Sequence, residues 1–299
     1  MSVVARGLDF LADQRRADGA VCEPLADPLG FLGNPSPSPR EVLIASRGAD
    51  VWCSATALRV TRLAGGDLPD TAAFLTGLAA PGQGLSWWTR RTGLCVETSG
   101  AAALADAGLA TLLRPVLRRH MLPGGRWATF LLDRHGGYEE YMVGPSVIAW
   151  AGLALPPRDL RRVAASRALT ALRGPDGTWT GHAAFYQSCW YPTHLALRLA
   201  GGDAETAARA LQTQRADGGW AFDQHDDTAL LPTAWALQCL PRGGSAATAA
   251  LGRLVASQLR DGGWPDTDLP PTLYYVGRVY ITACVLEALL HHGHDAKSC

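Results

Sequence analysis

Gln214-Arg215-Ala216-Asp217-Gly218-Gly219-Trp220 decides the fold of this chain, because the stretch is repeated within it. A helical run ending in Gln, a few polar residues, then Gly and Trp occupies Ala208 to Trp220 and recurs at Leu251 to Trp264, both ending in Asp-Gly-Gly-Trp. Weaker copies stand at Leu169 to Trp179, at Val116 to Trp127, and at Leu8 to Gly19, where Gln14 and Ala-Asp-Gly remain without the Trp. Trp127, Trp179, Trp220 and Trp264 fall roughly 41 to 52 residues apart, a spacing typical of stacked helical hairpins.

A second apolar segment of different character follows each copy. Asp50-Val51-Trp52-Cys53, Ser188-Cys189-Trp190-Tyr191-Pro192-Thr193, Asp226-Asp227-Thr228-Ala229 and Tyr280-Ile281-Thr282-Ala283 open such segments, and Thr98 to Ala107 and Pro145 to Leu155 bring the pairs to six. Small residues interleaved with large ones let neighbouring helices approach, whereas the first helix of each pair carries Arg and Glu on one face, as amphipathic surface helices do. Six hairpins side by side can close on themselves. The expectation is an all-α fold: a single (α/α)6 toroid over residues 1–299, inner helices around a central cavity and outer helices facing water. One departure from helical pattern is the proline-rich stretch 23–47, read as a long loop that either links the first two helices or covers one mouth of the barrel.

Composition agrees. The chain has 299 residues, 47% hydrophobic, with 33 Gly, enough for helices, many turns and a large core. Lys+Arg and Asp+Glu are 27 each, with no basic block, so nothing favours nucleic acid as a partner. Seven cysteines, an odd number without a Cys-x-x-Cys pair, read as small buried hydrophobes in a reducing cytoplasm. No secretory signal pattern opens the sequence, and the longest near-continuous apolar run, Val143 to Leu155, is too short to span a bilayer.

Chemistry is concentrated at Asp223-Gln224-His225-Asp226-Asp227-Thr228-Ala229, directly after one repeat turn. Burial or a neighbouring negative charge raises a carboxyl pKa toward neutrality, and two adjacent carboxylates in a dry pocket supply both. His225 is then a hydrogen-bond partner for the acid or the group that returns its proton. The alternative is structural: Asp226 and Asp227 at a helix N-terminus satisfy orphan N–H groups and favour the helix dipole.

The Gln…Gly-Gly-Trp repeats with the Asp-Asp-Thr-Ala segment resemble the terpene cyclase and protein prenyltransferase superfamily, particularly squalene-hopene cyclases and class II diterpene cyclases. The repeats cover nearly all of the chain. Class II cyclases carry Asp-x-Asp-Asp-Thr-Ala, whose middle Asp delivers the proton that starts cyclisation. The resemblance implies Asp226 as proton donor, with Asp227 and His225 tuning and reloading it. Gln224 stands where the first Asp of that pattern belongs; epoxide-opening cyclases also lack that Asp. Known class II cyclases usually combine two helical domains, so the resemblance also leaves room for a second chain completing the site, or for a non-catalytic subunit that shelters a lipid-like molecule.

A carbocation needs π-faces that stabilise charge without acting as nucleophiles. Trp52, Trp150, Trp190, Tyr191, Trp235, Tyr275 and Tyr280 lie on or near the proposed inner helices, as cavity wall or as ordinary core; Gln224 joins them as a polar candidate. Glu97, Glu139 and Glu140 are read as a solvated turn in preference to a pocket rim. Arg278 is a lone candidate for a diphosphate. No metal is needed when a proton makes the cation, although a substrate bearing a diphosphate can recruit magnesium. The zinc-dependent prenyltransferase pattern fails here, with Thr228 at its Cys position and Ile281 near its His position. Cys95-Val96-Glu97-Thr98 lacks the Gln of a thioester domain.

Overall fold

The computed structural model describes residues 1–22, 50–79, 82–86, 94–131, 144–180, 188–202, 204–222, 227–266 and 277–294. Twelve helices are found among them: α1 Val3–Asp13, α2 Asp50–Leu63, α3 Pro69–Leu78, α4 Val96–Ala105, α5 Ala107–Arg119, α6 Pro145–Ala154, α7 Leu160–Leu172, α8 Trp190–Ala200, α9 Ala204–Thr213, α10 Leu230–Leu237, α11 Ser245–Ala256 and α12 Gly277–His291. The all-α expectation holds. Two short antiparallel pairs accompany them: β1 (Leu94–Cys95) with β2 (Phe130–Leu131), and β3 (Trp220–Ala221) with β4 (Thr228–Ala229). The stretch 23–47 lies outside the described residues.

The helices alternate in character along the chain. In α6 every residue from Pro145 to Ala154 is buried, and in α10 every residue from Leu230 to Leu237. An apolar sequence on all sides is the mark of a helix surrounded by protein. In α5 the buried set is Leu109, Ala110, Leu113, Val116 and Leu117, a single stripe at helical spacing that leaves the other face to water.

The even-numbered helices pack in cyclic order: α2 on α4, α4 on α6, α6 on α8, α8 on α10, α10 on α12, and α12 back on α2. Small residues set their separation. A Cβ on Gly100 of α4 would stand 2.8 Å from the Trp150 carbonyl oxygen of α6, so a larger residue there would push the two backbones apart.

Each repeat turn joins its own surface helix to the next one. The indole N–H of Trp127 donates to Leu117 O, that of Trp179 to Leu169 O, that of Trp220 to Ala210 O and that of Trp264 to Leu254 O, at 2.7–3.0 Å. The backbone N–H groups of Trp179, Trp220 and Trp264 donate to Thr193, Thr233 and Thr282 of the following buried helices. Gln214 caps its own turn at Gly218 O and reaches Ala246 O of α11, both at 2.8 Å. Gln258 does the same at Gly262 O and Val3 O of α1, so the last repeat is bonded to the first. The repeat that sequence missed is α3, whose turn carries Leu85 in place of Trp; Leu85 N still donates to Ser99 at 2.9 Å.

Gly218 shows why these turns need glycine. Its φ is +84°, and a Cβ would meet the Ala249 carbonyl at 2.9 Å. Gly218→Ala is expected to cost about 1–3 kcal/mol from backbone strain plus that contact. Gly243, with φ +81° and nothing within 4 Å of a Cβ, is the control; equal losses at both positions in urea unfolding would show that the close approach contributes nothing.

Candidate active site

A cavity opens inside the ring of even-numbered helices. It is bordered by Trp150, Tyr191, Trp235 and Tyr280, and, lower down, by Arg59, His194 and Glu287. Trp52 and Tyr280, near the starts of α2 and α12, have ring centroids 5.7 Å apart, while Arg59 and Glu287, near the ends of the same helices, form an ion pair. The two helices therefore run in the same direction, with an aromatic level toward their N-termini and a charged level toward their C-termini.

The aromatic level is a contiguous set. Trp52 meets Trp150 edge-on at 5.9 Å, Tyr191 lies 5.1 Å from Trp235, and Phe222 meets Trp235 edge-on at 6.2 Å. Edge-to-face and tilted pairs at these separations are favourable beyond their burial. Trp150 Nε1 donates to the Tyr191 hydroxyl at 3.0 Å, and that hydroxyl donates to Glu97 Oε1 at 3.4 Å. Glu97 is 1% exposed within α4. The solvated-turn expectation for it is thus corrected: a run of Ala and Gly after it makes α4 a helix that fits inside the ring and takes Glu97 with it.

The charged level is a triad in which Arg59 and Glu287 are buried and Arg198 is partly exposed. Glu287 accepts from Arg59 Nη1 at 2.6 Å and from Arg198 Nη1 at 2.6 Å, with a second Arg59 contact through Nη2. The Arg59 guanidinium also lies 5.0 Å over the Trp150 ring. Burial alone would raise the Glu287 carboxyl, but the two guanidiniums outweigh it and hold it well below the usual carboxylate range. Two cations and one anion leave a formal excess of positive charge at helix C-termini, where the dipole favours cations. Burial pushes the Cys284 thiol up to about 12, so it is not a thiolate.

His194 stacks parallel to Trp235 at 6.4 Å, and its Nδ1 lies 3.1 Å from Trp190 O. Burial lowers its pKa to about 4. The unfolded chain takes up a proton there below about pH 6.5 whereas the folded one does not until about pH 4, so stability falls as the pH falls through that window. A loss of about 2 kcal/mol between pH 7.5 and 5 is expected from this residue. Subtracting the pH dependence of His194→Gln in urea unfolding removes the share of the other histidines; parallel curves for the two proteins would refute it.

Of the residues singled out from sequence, Trp150, Tyr191, Trp235 and Tyr280 border the cavity. Trp52 packs behind Trp150 and Tyr280 as a second layer, and Trp190 is buried without bordering the cavity. Gln224, His225, Asp226 and Tyr275 lie outside the described residues, as do Glu139 and Glu140. Asp227 is exposed, which corrects its expected place in a dry pocket. Its neighbour Thr228 is structural: the hydroxyl donates to Asp217 at 3.1 Å, and Arg253 bonds both Asp217 and Thr228 O. Arg278 is likewise committed, its Nη2 donating to both Asp261 oxygens at 2.7–2.8 Å and its guanidinium 4.7 Å over Phe10. Sequence reasoning passed over Arg59, His194 and Glu287. The signal was a charge inside an otherwise apolar helix, and for α12 the stripe Tyr280, Ala283, Cys284, Glu287 at one-face spacing. Among the described residues, no group of three or more His, Cys, Asp or Glu is arranged to hold a metal, and no helix is long and apolar enough to cross a membrane.

No family model matches the chain. A drimenyl diphosphate synthase from Streptantibioticus cattleyicolor is 32% identical over 196 residues, covering 56% of this chain and 36% of that protein; the match spans little more than a third of that relative's length. The type II terpene cyclase MstE from Scytonema, solved with its substrate geranylgeranyl dihydroxybenzoate, superposes with a TM-score of 0.75 at 18% identity, over 97% of this chain and 96% of that one. An alpha-amylase from Clostridium perfringens superposes at 0.66 with 9% identity, over 97% of this chain and 98% of that one. The whole-length superpositions show the fold alone: this chain has the helical-ring fold of MstE, which the amylase shares.

Proposed function

We propose that the protein is a class II-type cyclase: a single (α/α)6 toroid in which an aspartic acid protonates an alkene or epoxide of an isoprenoid or isoprenoid-bearing small molecule. The observation that carries this reading is the aromatic level itself, with Trp150, Tyr191, Trp235 and Tyr280 bordering one cavity within the ring. Such walls stabilise a migrating cation by cation–π attraction and exclude the water that would quench it. The cyclic packing of α2, α4, α6, α8, α10 and α12 supports the toroid.

Asp226 is the proposed acid. The described residues that flank it in sequence support this: Ala221 pairs with Thr228, and Phe222 packs against Trp235 of the cavity wall. Glu287, pinned as a carboxylate by two guanidiniums, does not donate a proton. The fold also serves an amylase, so fold alone does not select the chemistry; the wall, aromatic above and ion-paired below, is what supports the cyclase reading.

The test is metal-free incubation of the protein with farnesyl and geranylgeranyl diphosphates, squalene and their terminal epoxides in deuterated water, with products read by mass spectrometry. Isomeric cyclised product is expected, with one carbon-bound deuterium when an alkene is protonated and none when an epoxide is. Absence of product from every substrate would favour the second reading that sequence leaves open, a toroid that binds a lipid-like molecule with a partner chain or without catalysis.

A further inference from the structure

Protonation at one end of a polyene starts a cation that finishes several carbons away, so a cyclase that ends in an alkene must take its last proton far from where it delivered the first. The cyclic order of buried helices fixes what is far. Counting either way round the ring, α4 lies three helices from α10, directly across from it. Asp226 precedes α10; Glu97 sits in the first turn of α4. Between them, Tyr191 reaches from α8, borders the cavity, and carries its hydroxyl to Glu97 while Trp150 of α6 donates to the same oxygen.

We propose that Tyr191 and Glu97 form the proton exit of the reaction, an inference that rests on the cyclase reading above. A C–H bond beside the final cationic carbon breaks and its electron pair becomes the alkene. The proton passes to the Tyr191 oxygen as the phenolic proton passes to the Glu97 carboxylate, which ends as the neutral acid. A C–H bond next to a cation is so acidic that a phenol suffices as its acceptor; the placement of that oxygen at the wall decides which proton leaves. The Trp150 N–H fixes the phenol in place. Tyr191 thus acts on substrate, and Glu97 is a positioning residue and proton sink behind it.

The experiment compares wild type, Tyr191→Phe, Glu97→Gln and Glu97→Asp on farnesyl and geranylgeranyl diphosphates and their terminal epoxides, reading substrate consumption and the ratio of alkene to hydroxylated or shifted-alkene products. Tyr191→Phe is expected to lower the ratio by about tenfold or more in whatever substrate it still consumes, as loss of a proton-transfer group does. Glu97→Gln should move the ratio in the same direction, the double variant no further, and Glu97→Asp should restore part of it. A structural role alone would change consumption and leave the ratio alone. An unchanged ratio in an active Tyr191→Phe, or a wild-type product that is entirely hydroxylated, overturns the proton exit while leaving the cyclase standing. No product from wild type overturns the cyclase reading and this inference with it.

Discussion

Replacing Asp226 by Asn is expected to lower cyclisation by about 10³-fold or more, at the upper part of the range for a general acid. The side chain keeps its size and loses only the proton, so packing changes little. Among the described residues, no acid at this cavity offers another trigger. Glu287 is locked as an anion by Arg59 and Arg198, the Cys284 thiol is held too weakly acidic, and Glu97 lies across the ring from α10. The deuterium label separates the contributions: wild type should carry solvent deuterium at carbon when an alkene is the trigger, and Asp226→Asn should give neither label nor product. The variant must be shown to fold, by circular dichroism and by a urea midpoint matching wild type. Product formation by Asp226→Asn at rates near wild type would remove Asp226 as the acid. With an epoxide substrate the loss is expected to be smaller, since a strained ether oxygen is easier to protonate than an alkene carbon.

The fold was legible because its determinants are local and repeated. Asp-Gly-Gly-Trp places a positive-φ glycine, an indole and a capping carboxylate within four residues, and the same bonds recur from Trp127 to Trp264. The copy at α3 escaped notice because Leu85 makes the turn's backbone bond but lacks the indole. The aromatic wall was half legible. Periodicity places Trp52 and Trp150 alike on buried helices, yet the depth and rotation of a helix that is apolar all round are set by its neighbours, so only the packed ring shows that Trp150 borders the cavity and Trp52 stands behind it. Arg59, Arg198 and Glu287 are 89 or more residues apart in every pairing, and no local rule links them. Asp227 illustrates the converse: its motif is recognisable, but Thr228 and Ala229 are used to pair with the Trp220 turn, which leaves Asp227 in solvent.

Glu287→Gln is expected to destabilise the protein by about 3–5 kcal/mol, the cost of breaking a buried ion pair by removing one partner. The substitution preserves shape, so no cavity forms and the loss reports charge alone. Arg59 is buried and would keep its charge without a counter-ion, with only the Trp150 face for compensation; Arg198, about one-third exposed, suffers less. Replacing all three by apolar residues of similar volume should recover much of the loss, because the attraction within such a triad mainly repays its own desolvation. The acid limb offers an independent check. The folded pKa of Glu287 lies below its unfolded value, so its stabilisation is present above the ordinary glutamate range near pH 4.5 and is lost as the pH falls from there toward the folded pKa. Wild type should therefore lose stability below about pH 4.5 more steeply than Glu287→Gln. Urea unfolding at pH 7 and pH 3.5 measures both quantities. A neutral-pH loss under about 1 kcal/mol, the size typical of an exposed pair, would mean that water reaches the Arg59–Glu287 pair.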